Sequence, residues 1–225
     1  LPLFMRYVPG NVVDATTIKR TLLELKGLGI DVKFALLDAG YYNRKNADAL
    51  YDAKVSFVTR THSNNKVFTD AVKIHRAGLE AKENLVCHNG GLYYMKQIDV
   101  MLGTKSDRKA YGYLCLDLTT QSKELRKVAA KAEDGNESPN EIYGQMQEAG
   151  LFMLVSSRAV AKERILSLYY TRNQVEEIFR IGKGEGKMLP LDIHHEDTLR
   201  GHLMMTLLST AVLKILQDRL LKKKL

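Results

Sequence analysis

Two cysteines, Cys87 and Cys115, are all that the 225 residues contain. That is too few for a disulfide framework, and no Cys or His has the close pairing of a zinc site. The chemistry reads as that of a reducing compartment, the cytoplasm. Long apolar runs are also scarce. The most apolar stretch, Leu203 to Leu213, is interrupted by Thr206, Ser209 and Thr210. It falls short of the roughly 20 residues that span a bilayer, so neither a transmembrane segment nor a membrane partner is expected. Leu1 opens neither with Met nor with a basic and apolar leader, so no signal peptide is expected and the chain need not start where its gene does. There is no internal repeat, and low complexity is confined to Lys222 to Lys224.

What is present is ordinary in kind and unusual in charge. Hydrophobic residues at 45% and charged residues at 27% suit a globular protein, and the length suffices for one large domain or a domain with an insertion. The net charge of +8 favours a polyanionic partner such as nucleic acid, the alternative being a merely basic soluble protein.

Along the chain, Leu3 to Val8 reads as a strand ended by Pro9-Gly10-Asn11. A helix follows, with Asp14 as its cap, Ile18, Leu22 and Leu25 at helical spacing, and Gly27 and Gly29 at its end. Val32 to Leu37 reads as a buried strand closed by Asp38, Asn43 to Lys54 as a helix, and Val55 to Thr59 as a strand. This alternation implies parallel crossovers in an α/β fold. From residue 63 to 149 short strand candidates dominate, and the segment reads as a mainly β insertion. Val86 to His88 and Leu92 to Val100 flank a hairpin turn at Asn89-Gly90-Gly91. Tyr111 to Leu118 is a further strand, Ser122 to Ala132 a charged helix and Glu133 to Glu141 an exposed loop. Leu151 to Val155 returns as a strand, a helix runs from about Ser157 to the glycines at 182, 184 and 186, and the last helix covers Thr198 to Leu221. The organisation expected is a first core segment at 1–62, the insertion at 63–149, and a second core segment at 150–225.

Within the helix after the strand at Leu151, Tyr169, Arg172, Glu176 and Lys183 lie at offsets 0, 3, 7 and 14. On one continuous helix they fall in a stripe roughly 60° wide, beside an apolar face of Leu168, Val175 and Phe179. By spacing alone this is equally an amphipathic helix with a charged edge. Asp38 ends a strand, where ligand crevices of parallel sheets lie, though an Asp there also caps the next turn. Together Asp38 and Glu176 supply oxygen ligands for hard divalent cations, the arrangement that polarises a phosphodiester. Arg172 and Lys183 suit phosphates, and Tyr169 suits a stacked or distorted DNA strand.

The run Y-x2-R-x3-E-x6-K resembles the signature of bacterial insertion-sequence transposases of the DDE class. PGNVVD at Pro9 to Asp14, LLDAGYYN around Asp38, FVTRTHS at Phe57 to Ser63 and MLVSS before the helix support the resemblance. It implies an RNase H-like catalytic core with an insertion between the second and third acids, Mg2+ or Mn2+ as cofactor, and double-stranded DNA as partner. It further implies a homodimer in a synaptic complex and a cytoplasmic, nucleoid-associated location. Asp38 then matches the second acid and Glu176 the third. Tyr169, Arg172 and Lys183 match residues that grip the transposon end. Arg60 sits where a DNA-contacting basic residue is common, a solvated strand-end Arg being the alternative. His202, after Gly201, is more often structural.

No residue here matches the first acid, and Asp14 is better read as a helix cap. The resemblance therefore implies weak or no strand transfer from this polypeptide alone, with the sheet lacking its first two strands. The other readings are a catalytically dead DNA-binding or assembly module derived from a transposase, and a different RNase H-like nuclease. GKGEGK, at Gly182 to Lys187, lacks P-loop spacing and follows a helix.

Overall fold

A computed structural model describes Phe4, Arg6 and residues 14–103, 108–133, 135, 137–184 and 195–223. The strand expected at Leu3 to Val8, with its turn, lies outside these apart from Phe4 and Arg6. The described residues form two compact units, 14–169 and, from Tyr170 on, 170–223 with Phe4 and Arg6.

In the first unit a 3-10 turn at Asp14–Thr17 leads into α1 (Ile18–Gly27), so Thr17 rather than the expected Asp14 is the residue at the N-cap of the α-helix. Then come β1 (Phe34–Leu37), α2 (Arg44–Asp52) and β2 (Ser56–Arg60). Asn43 starts α2 by accepting a hydrogen bond from the Asn46 amide through its side chain at 2.8 Å. β1 and β2 pair in parallel, as the strand-helix-strand pattern predicts.

The next segment holds more helix than its strand-like intervals suggest. Besides β3 (Leu85–His88), β4 (Gly91–Met101) and β5 (Lys109–Asp117), it contains α3 (Lys66–His75), α4 (Leu118–Glu133) and α5 (Pro139–Glu148). α3 is capped by Asn65 and buries Phe68 and Ala71, one turn apart. α5 starts where a loop is expected: Ser138 accepts from the Glu141 amide, Glu141 accepts in return from the Ser138 amide, and Pro139 takes the first helical position. The same Ser and Pro that read as turn residues are N-terminal helix signals. The β3–β4 hairpin forms as expected, with Asn89 at φ 46° and Gly90 at φ 75°.

β6 (Leu151–Ser156) organises the sheet. It pairs antiparallel with β2 on one side and β5 on the other, giving one six-stranded sheet in the order β1-β2-β6-β5-β4-β3. The boundaries drawn at 62/63 and 149/150 therefore fall within a continuous mixed sheet. Helices flank it, which is the α/β class expected and is consistent with an RNase H-like core.

Strand alternation fills both faces. One bears Phe57, Leu114, Leu116, Met153 and Val155, clustered with Leu50 of α2 and Phe68 of α3. The other bears Val58, Leu154, Tyr113 and Cys115, all fully buried. Each large apolar side chain so buried contributes about 1.5–3 kcal/mol relative to exposure. On that second face Tyr113 Oη donates to the Val160 carbonyl at 2.6 Å, holding the segment that leads into α6 (Lys162–Tyr170). Burial pushes the Tyr113 phenol up.

The second unit consists of α7 (Asn173–Lys183) and the long α8 (Glu196–Lys223), which pack against each other. α8 extends the apolar run at Leu203 to Leu213 at both ends. An 18-residue stretch within Glu196–Leu220 is long and apolar enough to cross a membrane by length and composition. The apolar run is shorter because it stops at His202 and Lys214. On α8 the buried positions mix apolar and polar residues, Leu203, Thr206, Thr210 and Lys214, while Met205, Leu208, Val212 and Leu216 are exposed.

Candidate functional site

Asp38 follows the last residue of β1, and its Oδ1 accepts from the Ala39 amide at 2.8 Å. It caps the 3-10 turn Ala39–Tyr41, the local role that competes with ligand binding for an Asp at a strand end. The residue is exposed. Thr59, on the neighbouring strand, donates through Oγ1 to the Asp38 carbonyl at 3.3 Å. Arg60 closes β2 one residue later, exposed, with its guanidinium carbon 4.9 Å from the centroid of Phe152. Asp38 and Arg60 thus end adjacent parallel strands, because the β1–β2 register pairs Leu37 with Thr59.

The helix carrying the other candidate residues is not continuous. α6 ends at Tyr170, and α7 begins at Asn173. Between them the amides of Gln174 and Val175 bond the carbonyls of Thr171 and Arg172 at 3.1 and 2.8 Å, an i to i+3 pattern that tightens the turn. The single stripe from Tyr169 to Lys183 is therefore divided. Tyr169 belongs to the first unit and is buried, 3% exposed. Arg172, Glu176 and Lys183 belong to the second.

Arg172 occupies the N-cap of α7 without a side-chain cap bond. Its Nη1 lies 2.8 Å from Glu176 Oε1, and 61% of the Glu176 side chain is exposed. α7 runs through Gly182 to Lys183 and is capped by Gly184. Lys183 consequently stays on the Glu176 side of the helix, two turns and about 10 Å further along. His202 is half-buried on α8.

A polar network absent from the sequence reading joins α7 to α8. Glu177 Oε2 accepts from Lys214 Nζ at 3.0 Å and Glu177 Oε1 from Gln217 Nε2 at 2.8 Å. Lys214 also reaches Asp218 Oδ1 at 2.9 Å. The available signal was a lysine inside an apolar helix with an acid four residues on. The Lys214 and Gln217 hydrogen bonds hold the Glu177 carboxyl below its ordinary range, and the bonds to Asp218 and Glu177 raise the Lys214 ammonium above its own. The stabilisation from Glu177 is full above the ordinary carboxylate pKa and is lost as pH falls through the lowered one. That from Lys214 is full below the ordinary lysine pKa and is lost as pH rises through the raised one. Glu177→Gln is therefore expected to be less stable than the parent at pH 7 and to converge with it as pH falls below about 4, as read by urea unfolding at both pH values.

Asp38 and Glu176 offer hard oxygen donors of the kind divalent cations take. Among the described residues, however, no group of three or more His, Cys, Asp or Glu is gathered for a metal.

Residues 1–211 match the family model described as transposase DDE domain. The chain belongs to that family. A search of curated proteins finds no match. The match spans both described units of this transposase domain and includes Asp38, Arg60, Tyr169, Arg172, Glu176 and Lys183. Membership makes this a transposase of catalytic type in its intact form, with DNA as the substrate and divalent metal as the family's usual helper.

Proposed function

We propose that this domain cuts DNA at transposon ends and joins the ends to target DNA, as part of a bacterial insertion-sequence transposase. The observation that carries this reading is Arg172 at the N-cap of α7 with Glu176 and Lys183 on it, in the Y-x2-R-x3-E-x6-K spacing, in a chain where Asp38 follows β1. Asp38 and Glu176 are assigned as ligands of Mg2+ or Mn2+, completed by a further acid that residues 1–225 do not match. These residues by themselves are accordingly expected to give weak or no strand transfer. Arg60, Arg172 and Lys183 are assigned to phosphates. Tyr169 is assigned to the DNA end, and its ring must be uncovered to reach it. The β-containing segment 63–149 is assigned as an insertion between the two core segments, 1–62 and 150–225.

Pairing of two ends calls for a homodimer. The exposed apolar stripe of α8, with Met205 at 64% and Val212 at 56%, supports such self-association. The location assigned is the cytoplasm, at the nucleoid when DNA is bound.

The test uses the protein translated from its complete coding sequence, with end-containing DNA. Nicking and end joining that require Mg2+ or Mn2+, together with manganese at Asp38 and Glu176 in soaked crystals, are the expected results. Tight end binding without cleavage would replace the enzyme by a DNA-binding assembly module. Hydrolysis without joining would replace it by a nuclease.

A further inference from the structure

α7 is a short helix with no fully buried apolar side chain. It has 11 residues, and its N-cap makes no side-chain cap bond. Val175 and Phe179, the apolar residues expected to anchor it, are 48% and 52% exposed. Its buried residue is Gly182, which has no side chain to pack. Ile178 and Ile181 are half-buried, so apolar burial on α7 is partial, and such contact is non-directional about the helix axis.

The polar network described above supplies what packing does not. Glu177 follows Glu176 directly, about 100° further around the helix, so the two carboxylates leave α7 in different directions. Glu177 points to α8, where Lys214 and Gln217 each bind one of its oxygens. The Lys214 side chain is only 11% exposed and is held from both helices, by Glu177 of α7 and Asp218 of α8. Breaking the Glu177 bond removes one of the two carboxylate partners of this shielded side chain, which disfavours other arrangements. Two hydrogen bonds across the helix pair, both to Glu177, also specify rotation and register in a way that non-directional apolar contact cannot.

We propose that Lys214, acting through Glu177, is a positioning residue that sets the rotation and register of α7 and so aims Glu176 and Lys183. The functional half of this statement rests on the reading of Glu176 as a metal-binding acid; the positional half does not. A one-residue slip of α7 would carry Glu176 about 1.5 Å along and 100° around the axis. Misplacements of that size at a reacting centre cost on the order of 100-fold in rate.

The experiment separates the two halves. Nitroxide labels at Arg180→Cys on α7 and Leu208→Cys on α8, in a Cys87→Ser background of the full-length protein, report the α7–α8 distance distribution by pulsed EPR. The parent and Lys214→Arg are expected to give one narrow distribution, and Lys214→Met and Glu177→Gln a broadened or shifted one. An unchanged distribution in Lys214→Met overturns the proposal, whatever the protein does to DNA.

Cleavage of end-containing DNA is measured on the same variants without labels. Lys214→Met is expected to lower the single-turnover rate at saturating DNA at least about 10-fold, to bind the ends within about twofold of the parent, and to be rescued by Lys214→Arg. A loss of rate that only follows the loss of folded protein, with no rescue, also overturns it. A label response in a protein that never cleaves leaves the positional role standing and removes the transposase chemistry.

Discussion

Glu176→Gln in the complete protein is expected to lower metal-dependent cleavage of transposon-end DNA by more than about 100-fold, beyond the 10- to 100-fold typical of residues one shell removed from a metal. End binding and folding should be nearly unchanged. The amide keeps the size and helix compatibility of the side chain and removes the charge that a divalent cation requires. The partner lost is Arg172, 2.8 Å away, and with most of the Glu176 side chain in solvent that pair is worth only about 0–1 kcal/mol. Removing one negative charge from a protein of net charge +8 does not oppose DNA binding. A large loss of rate with unchanged affinity thus points to chemistry. Single-turnover cleavage and a gel-shift titration check it, and a variant that cleaves at the parental rate would remove Glu176 from the reacting site.

The second large effect is structural. Gly150→Ala is expected to destabilise the first unit by about 3 kcal/mol or more, near the upper part of the range for single substitutions. Gly150 has φ +75° and sits at the turn between α5 and β6, pressed against the start of α4. A β-carbon there would lie 2.6 Å from Gln121 Cβ, 2.7 Å from the Asp117 carbonyl oxygen and 2.8 Å from Gln121 Cα. Two of these are backbone atoms that cannot swing aside. The turn is also bonded on both sides, with its amide donating to Glu124 Oε2 at 2.7 Å and its carbonyl accepting from the Asp117 amide at 2.9 Å. Calorimetry should show Tm falling by about 6–12 °C, at about 2–4 °C per kcal/mol for a chain of this size. Gly29 is the control. Its φ is +76°, but nothing lies within 4 Å of an added β-carbon, so Gly29→Ala should cost only the left-handed conformation, about 1–2 kcal/mol. Equal losses at the two positions would show that collision plays no part.

Much of the architecture was legible residue by residue. β1, α2 and β2 follow from an apolar run, a helical period and another apolar run, and their parallel pairing follows from that order. The hairpin follows from Asn89-Gly90. α5 was also written in the chain, as Ser138, Pro139 and Glu141, but Ser and Pro have one meaning in turns and another at helix starts, and composition favoured the turn. α3 was hidden by the strand-like spacing around it, although Asn65 and the Phe68 and Ala71 pair mark it. The break between α6 and α7 had only a faint mark. Leu168 to Phe179 contains neither Gly nor Pro, and Thr171 and Asn173 are weak helix formers whose effect depends on what surrounds them.

The candidate site divides along the same line. By itself the sequence determined the family to which residues 1–211 belong and supplied the residues proposed for the chemistry, because residue type and spacing are local properties: Asp38 after β1, Arg172 at the N-cap of α7, and Glu176 and Lys183 on it. Only the tertiary structure decided how each is held. It placed Arg60 at a strand end beside that of Asp38, buried Tyr169, set Arg172 on Glu176, and tied Glu177 to Lys214 across 37 positions of chain. It also put β6 between β2 and β5, which makes one sheet of segments far apart in sequence. Pairings of this kind depend on shape, burial and hydrogen-bond partners brought together from distant segments, and no local period in the chain encodes them.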